Sequence, residues 1–274
     1  MIRATVLGLV GGLLFATGAS AEPVAYARFM IDGMTKFGEV RGDQVLEIEG
    51  GLFGARERND RVHALGDIKL LAPVKPGKVF AVGLNYRSHA GMSGAGQPEI
   101  FYKSPTSVTG PGASIPYPDD ASSLHYEGEM VVVIGKTGRF IPVERAMEHV
   151  FGVAAGNDVS ERSWQSSDLQ WWRAKGSDGF GPIGPYVVRG LDPDKLMLET
   201  RLNGKTVQRE ETSGMLHDTA AIISHISQHV TLDPGDVIFT GTPGSTRSMK
   251  PGDVLEVELE GVGTLRNRVK QELP

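Results

Sequence analysis

Glycine and proline cut this chain into short pieces. Of 274 residues, 36 are glycine and 16 are proline, and what lies between them is mostly short β-branched runs, with few helical stripes. Residues 79–84, 130–134, 153–156 and 186–188 are apolar runs bounded by Gly or Pro. Residues 196–202, Asn203-Gly204 and 205–208 read as a hairpin, because Asn and Gly accept the positive φ of a type I′ turn. Residues 254–258 and 263–269 read as another strand pair, and 24–31, 36–40 and 44–48 as three short strands near the front. Two helices are expected. One starts at Pro142 and runs to Val150; the other covers 213–230, with Ile222, Ile223, Ile226 and Val230 on one stripe. The class is therefore mostly β with a few helices, α+β. A small N-terminal β-rich domain covers 22–71, Lys75-Pro76-Gly77 forms a hinge, and a larger domain covers 72–274.

The first residues read as an address. Arg3 precedes an apolar run over 6–15, and Ala19-Ser20-Ala21 offers a small-x-small cleavage site before Glu22, the layout of a secretory signal peptide. The run falls well short of the roughly 20 residues that span a membrane. The expectation is a signal peptide over 1–21 and a periplasmic or secreted mature chain. Lys+Arg total 28 against Asp+Glu 33, a net charge of −5, with no basic run. Nucleic acid and anionic membrane surfaces are thus not expected partners. Cysteine is absent, which removes disulfides, thiolate nucleophiles and sulfur-ligated metals. Any metal must be held by oxygen or imidazole.

Two motif matches carry little. Gly179-Phe180-Gly181-Pro182-Ile183-Gly184 has the dinucleotide-binding string, but prolines interrupt it and a strand-like segment follows where a helix is required. His225 and His229 have zinc-protease spacing, yet Ile226 stands where the general base would be. They read as a solvated helix face. Glu127-Gly128-Glu129 is different. It opens a run with the density of a buried strand, and strand alternation sends both carboxylates to one face. Like charges buried together need a positive partner, which is either a divalent cation or Arg and Lys side chains. Asp158, in Gly156-Asn157-Asp158 at the end of another apolar run, is a third candidate oxygen ligand. Three carboxylates would suit Mg²⁺, Mn²⁺ or Ca²⁺.

Five separated segments resemble the fumarylacetoacetate hydrolase family: Gly83-Leu84-Asn85-Tyr86-Arg87-Ser88-His89, His125-Tyr126-Glu127-Gly128-Glu129, Gly156 to Arg162, Arg173 to Asp178, and Phe239-Thr240-Gly241-Thr242-Pro243. The resemblance implies a β-roll-like catalytic domain over 72–274 behind the small front domain, a homodimer, and a divalent cation, Mg²⁺ or Mn²⁺. It implies that Glu127, Glu129 and Asp158 are metal ligands and Lys175 the active-site lysine. It also implies that Arg162 and Gln165 contact substrate oxygens, that His89 is the general base, and that Thr242 lines the pocket. Such a set suits a small 2-oxo or 2,4-dioxo acid: a Lewis-acid metal and Lys175 favour a developing enolate, and an imidazole moves protons near neutral pH.

One position departs from the pattern. Relatives that cleave acylpyruvates or decarboxylate oxaloacetate often place Glu three residues after the histidine to orient it, and here that residue is Met92. Glu99, beyond a Gly-rich lid, is the candidate substitute. The leading expectation is a metal-dependent hydrolase that splits a C–C bond in a small 2,4-dioxo acid. The alternative is an isomerase, tautomerase or decarboxylase acting on a 2-oxo acid such as oxaloacetate, and a third reading is a binding protein without turnover.

Overall fold

A strand that is apolar on both faces must be covered on both sides, and Gly128–Ile134 is buried along its whole length. Met130, Val132 and Ile134 join one core with Leu198, Leu255 and Val257. Val131 and Val133 join another with Tyr26, Val237 and Phe239. The computed structural model describes residues 22–91, 93 and 96–272. The expected signal segment, 1–21, lies outside the described residues.

Among these residues one sheet has 12 strands and a second has 5. In the larger sheet Gly128–Ile134 pairs antiparallel with Val150–Asn157 on one side and Val237–Phe239 on the other. Val237–Phe239 runs parallel to Val79–Gly83, which is followed by Glu99–Lys103 at the edge. In the other direction come Gly181–Arg189 and then Val24–Ile31, joined by the pairs Val24↔Arg189 to Tyr26↔Val187. The front strands therefore extend the sheet that carries the rest of the chain. The 5-stranded sheet contains the expected hairpin Met197–Leu202 and Lys205–Glu211, and its second expected pair, Val254–Leu259 and Gly263–Gln271. Asn203 and Gly204 take φ of 52° and 77°, as a type I′ turn requires.

Two sequence expectations change. The helix expected over 213–230 is a 3₁₀ turn, Thr212–Gly214, followed by a shorter α-helix, Thr219–Ser227. Asn85 holds the intervening segment extended: its carbonyl accepts from Leu216 N–H at 2.7 Å and its Oδ1 from His217 N–H at 2.9 Å. Asp218 then caps the helix by accepting from Ala221 N–H at 2.7 Å, a start signal the apolar stripe does not reveal. The segment from Pro142 is a 3₁₀ helix, Val143–His149, and Val150 already belongs to the next strand. An additional strand, Glu57–Ala64, is too polar to be read from alternation. It lies at the sheet edge, where Asn59 and His63 meet the buried Glu47 at 3.0 Å each. Gly181–Arg189 is a strand, so the glycine string does not open a nucleotide-binding helix. No described helix is long and apolar enough to cross a membrane.

Because the front strands share one hydrogen-bonded sheet with the strands of the larger domain, calorimetry should show a single cooperative unfolding transition. Two resolved transitions, the first confined to residues 24–70 by hydrogen exchange, would contradict this.

Candidate active site

The register of two buried strands builds the centre. Gly128 pairs with Asn157, Asp158 N–H donates to Glu127 C=O at 2.8 Å, and Glu127 N–H donates to Asn157 Oδ1 at 2.9 Å. Glu127, Glu129 and Asp158 are brought together at 4%, 2% and 1% exposure. One carboxylate oxygen from each lies within 4.8 Å of the others. Gly128, between the two glutamates, faces the second sheet. A Cβ there would sit 1.9 Å from Thr200 Oγ1, so only glycine lets the sheets approach this closely.

Three cations surround the carboxylates. Two short helices bring two of them, α2 (Arg162–Ser167) with Arg162 and α3 (Trp172–Gly176) with Lys175. Lys175 Nζ donates to Glu127 Oε2 at 2.5 Å and Asp158 Oδ2 at 2.8 Å. Arg162 Nη2 donates to Glu127 Oε1, and its Nη1 donates to Gln165 Oε1 at 2.6 Å. The third cation, Lys103, escaped sequence reading. Its Nζ donates to Asp158 Oδ1 at 2.5 Å and to the Lys175 carbonyl. Alternation along Glu99–Lys103 is the signal that could have found it, since Phe101 and Lys103 share the inward face.

The charges do not balance evenly. Burial by itself would raise Glu127, but Lys175 and Arg162 outweigh it and hold the carboxyl at about 2. Glu129 goes the other way. Burial and then the charges of Asp158 and Glu127 push it well above the ordinary carboxylate range, against the pull of Lys175 and a 2.7 Å hydrogen bond from Gly241 N–H. Burial disfavours the Lys175 ammonium, yet Asp158 and Glu127 carry its pKa above the ordinary lysine value. Burial dominates at Lys103 and lowers it.

His89 lies on α1, Arg87–Ala90. Its Nδ1 is 2.6 Å from the Gly244 carbonyl, which fixes a proton on Nδ1 and leaves Nε2 as the basic nitrogen. Nε2 points toward Glu127 Oε1 at 4.0 Å. Met92 lies outside the described residues. Glu99 opens the edge strand opposite Gly83 and lines an outer groove with Tyr102 and Trp172; the contact at His89 Nδ1 is a backbone carbonyl. Thr242 donates to Gly128 C=O at 2.8 Å and accepts from Gln208 Nε2 at 2.8 Å, while Gln208 Oε1 accepts from Gly128 N–H at 3.1 Å. Gln208 was thus another residue missed in the sequence.

A cavity of about 70 Å³ joins these groups, lined by His89, the three carboxylates, Arg162, Gln165, Lys175 and Thr242, with Phe101 and Trp171 as an aromatic wall. The eight site residues that the family resemblance implies meet here, whereas Glu99 does not. A groove of about 750 Å³ beside α3 is larger but lacks the carboxylates. Among the described residues no other group of three His, Asp or Glu side chains could hold an ion, and His225 and His229 sit ring to ring, 6.2 Å apart, on and just beyond the long helix.

The model of the fumarylacetoacetate (FAA) hydrolase C-terminal domain matches residues 78–270, and that of the Rv2993c-like N-terminal domain matches 25–73. The chain belongs to the fumarylacetoacetate hydrolase family. Within this family it is 42% identical to protein Rv2993c of Mycobacterium tuberculosis, over 92% of this chain and 96% of that one. It is 35% identical to the oxaloacetate tautomerase YisK of Bacillus subtilis, over 78% and 79%. A crystal structure of 2-hydroxyhepta-2,4-diene-1,7-dioate isomerase from Mycobacterium marinum superposes with a TM-score of 0.86 at 38% identity, covering 92% of this chain and 100% of that one. Family members are typically dependent on a divalent metal, and the donor set here fits one: three buried hard oxygen ligands, one of them driven toward protonation by burial and by the other two.

Glu129 sets a pH test of that fit. With its pKa raised in the folded protein, its proton stabilises the metal-free fold at low pH, and that contribution is lost as pH rises from the ordinary glutamate value through the raised one. Glu127, held low, works in the opposite sense, adding stability that is lost only as pH falls toward about 2. Glu129→Gln should therefore raise the Tm of metal-free protein at pH 8 and barely change it at pH 4, while shrinking the Tm gain on adding Mg²⁺. A Tm loss of equal size at both pH values, with the Mg²⁺ response intact, contradicts the site.

Proposed function

We propose that this protein is an isomerase of the keto–enol tautomerase type, acting on a small 2-oxo acid such as oxaloacetate. The observation that carries the proposal is the setting of His89. Its Nδ1 leans on the Gly244 carbonyl, and its Nε2 faces the carboxylate centre. The carbonyl fixes the tautomer, so that one nitrogen, Nε2, can both take a proton from the substrate and return it. Taking and returning one proton is all that a keto–enol rearrangement asks of this base, whereas the hydrolysis of the leading sequence expectation also needs a positioned water. Two of the relatives, the oxaloacetate tautomerase and the heptadienedioate isomerase, have names that denote rearrangement rather than hydrolysis.

In this reading Glu127, Glu129 and Asp158 would hold a Mg²⁺ or Mn²⁺ ion, which when bound supplies Lewis-acid polarisation of the keto group. Arg162 and Gln165 bind and orient the substrate carboxylate. His89 Nε2 accepts a proton from C3 and returns it to the oxygen at C2, as the C2=O double bond gives way to a C2=C3 double bond. Lys175, its pKa raised by Asp158 and Glu127 against the cost of burial, stays an ammonium throughout and offers fixed positive charge to the enolate oxygen. A cavity of about 70 Å³ admits the small acid head and sheds most of the water. The same proposal includes a homodimer and a mature chain working in the periplasm or outside the cell. The family resemblance supports the first and the pattern of residues 1–21 supports the second.

The test is a panel of oxaloacetate and acylpyruvates given to Mg²⁺-loaded protein, with enol absorbance and cleavage products both followed. Accelerated keto–enol exchange without cleavage is expected, and His89→Ala should slow it by roughly 10²- to 10⁴-fold. Stoichiometric release of pyruvate from an acylpyruvate would overturn the proposal in favour of C–C hydrolysis.

A further inference from the structure

His125 and Thr246 take no part in the chemistry above, yet they are wired to it. Arg162 Nη2, the group that donates to Glu127, also donates to Thr246 Oγ1 at 3.1 Å. Thr246 Oγ1 is 2.9 Å from His125 Nδ1, and His125 Nε2 is 3.1 Å from Ser123 Oγ. The proton positions in this chain follow from counting donors. Arginine can only donate, so Thr246 must accept from it. If His125 carried its proton on Nδ1, Thr246 Oγ1 would face two donors and its own proton would have no acceptor among these groups. With the proton on Nε2, every group is used: Arg162 donates to Thr246, Thr246 to His125 Nδ1, and His125 Nε2–H to Ser123. The chain then runs in one direction.

Its far end is anchored. Glu161, fully buried, accepts from Ser122 and Ser123 N–H at 3.1 and 2.5 Å and from Trp164 N–H at 2.7 Å. The same carboxylate thus ties the Ser123 backbone to the first turn of α2, where Arg162 sits.

We infer that Thr246 and His125 are positioning residues that hold the Arg162 guanidinium between Glu127 and the cavity, so that it meets the substrate carboxylate. With Nη1 held by Gln165, Nη2 would have Glu127 as its single acceptor and the guanidinium edge that faces the cavity would be held from one side. The hydroxyl of Thr246 supplies a second fixed acceptor and His125 fixes the hydroxyl. This rests on the proposed binding of a 2-oxo acid at the site and adds to it the residues that preorganise the anion grip.

The test uses full-length, Mg²⁺-loaded protein and the isosteric Thr246→Val. Two readouts are taken: oxalate affinity by calorimetry, and KM and kcat for oxaloacetate enolisation. Thr246→Val should weaken oxalate binding and raise KM by about tenfold each, the scale of one hydrogen bond to a charged group, with kcat within twofold. Thr246→Ser, which keeps the hydroxyl, should restore both values and shows that a fold defect is not the cause. In ¹⁵N-histidine spectra His125 should show an unprotonated Nδ1 in the parent and lose that preference in Thr246→Val. Parental oxalate affinity in Thr246→Val, a serine variant as weak as valine, or a parent that fails to bind oxalate would each overturn the inference. A parent that binds oxalate but enolises nothing would overturn the proposed reaction instead, and the oxalate comparison would still decide the role of Thr246.

Discussion

Three carboxylates within 4.8 Å of one another, all but excluded from solvent, are a repulsion that the surrounding fold is arranged to contain. Burying unpaired charge costs several kcal/mol per ion, so each neighbouring element supplies a positive group or a polarised N–H. The edge strand brings Lys103, α3 brings Lys175, α2 brings Arg162, and the segment after Val237–Phe239 brings the Gly241 N–H. The compensation is uneven. Glu127 is held low by its two cations, whereas Glu129 is driven up and keeps an unmet demand for positive charge. A divalent cation, on which members of the family typically depend, would satisfy it.

Residues 241–246 are where the site's separate demands meet. Gly241 serves Glu129, Thr242 ties down the glycine between the two glutamates, Gly244 fixes the tautomer of His89, and Thr246 steadies Arg162. One loop, launched from the central sheet, thus holds Glu129, His89 and Arg162 together. Small residues make this feasible. At Gly241 φ is 105° and a Cβ would come within 2.7 Å of Asn85 Cβ, so the loop can pass only where no side chain intervenes.

Much of this was legible in the sequence because strand alternation is a strong constraint. Glu127-Gly128-Glu129 ahead of an apolar run already demanded two carboxylates on one buried face, and the Asn203-Gly204 turn announced its hairpin. What stayed hidden depends on contacts between distant segments. Lys103 looks like any strand lysine until Val79–Gly83 carries its neighbour strand alongside the centre and Asp158 arrives from another. The long helix was overread because Asn85, more than a hundred residues earlier in the chain, holds its expected first turns extended. The orienter of His89 was sought among carboxylates, Glu99 above all, and is a carbonyl that no side-chain pattern could reveal.

The chemistry proposed for this site requires the buried carboxylates to hold one divalent cation. Titration of metal-stripped protein with Mn²⁺, followed by electron paramagnetic resonance, tests it most directly. One bound Mn²⁺ per chain is expected, with affinity reduced at least about tenfold in Asp158→Asn, as for loss of a charged ligand. Equal Mn²⁺ affinity and stoichiometry in parent and variant would contradict the account.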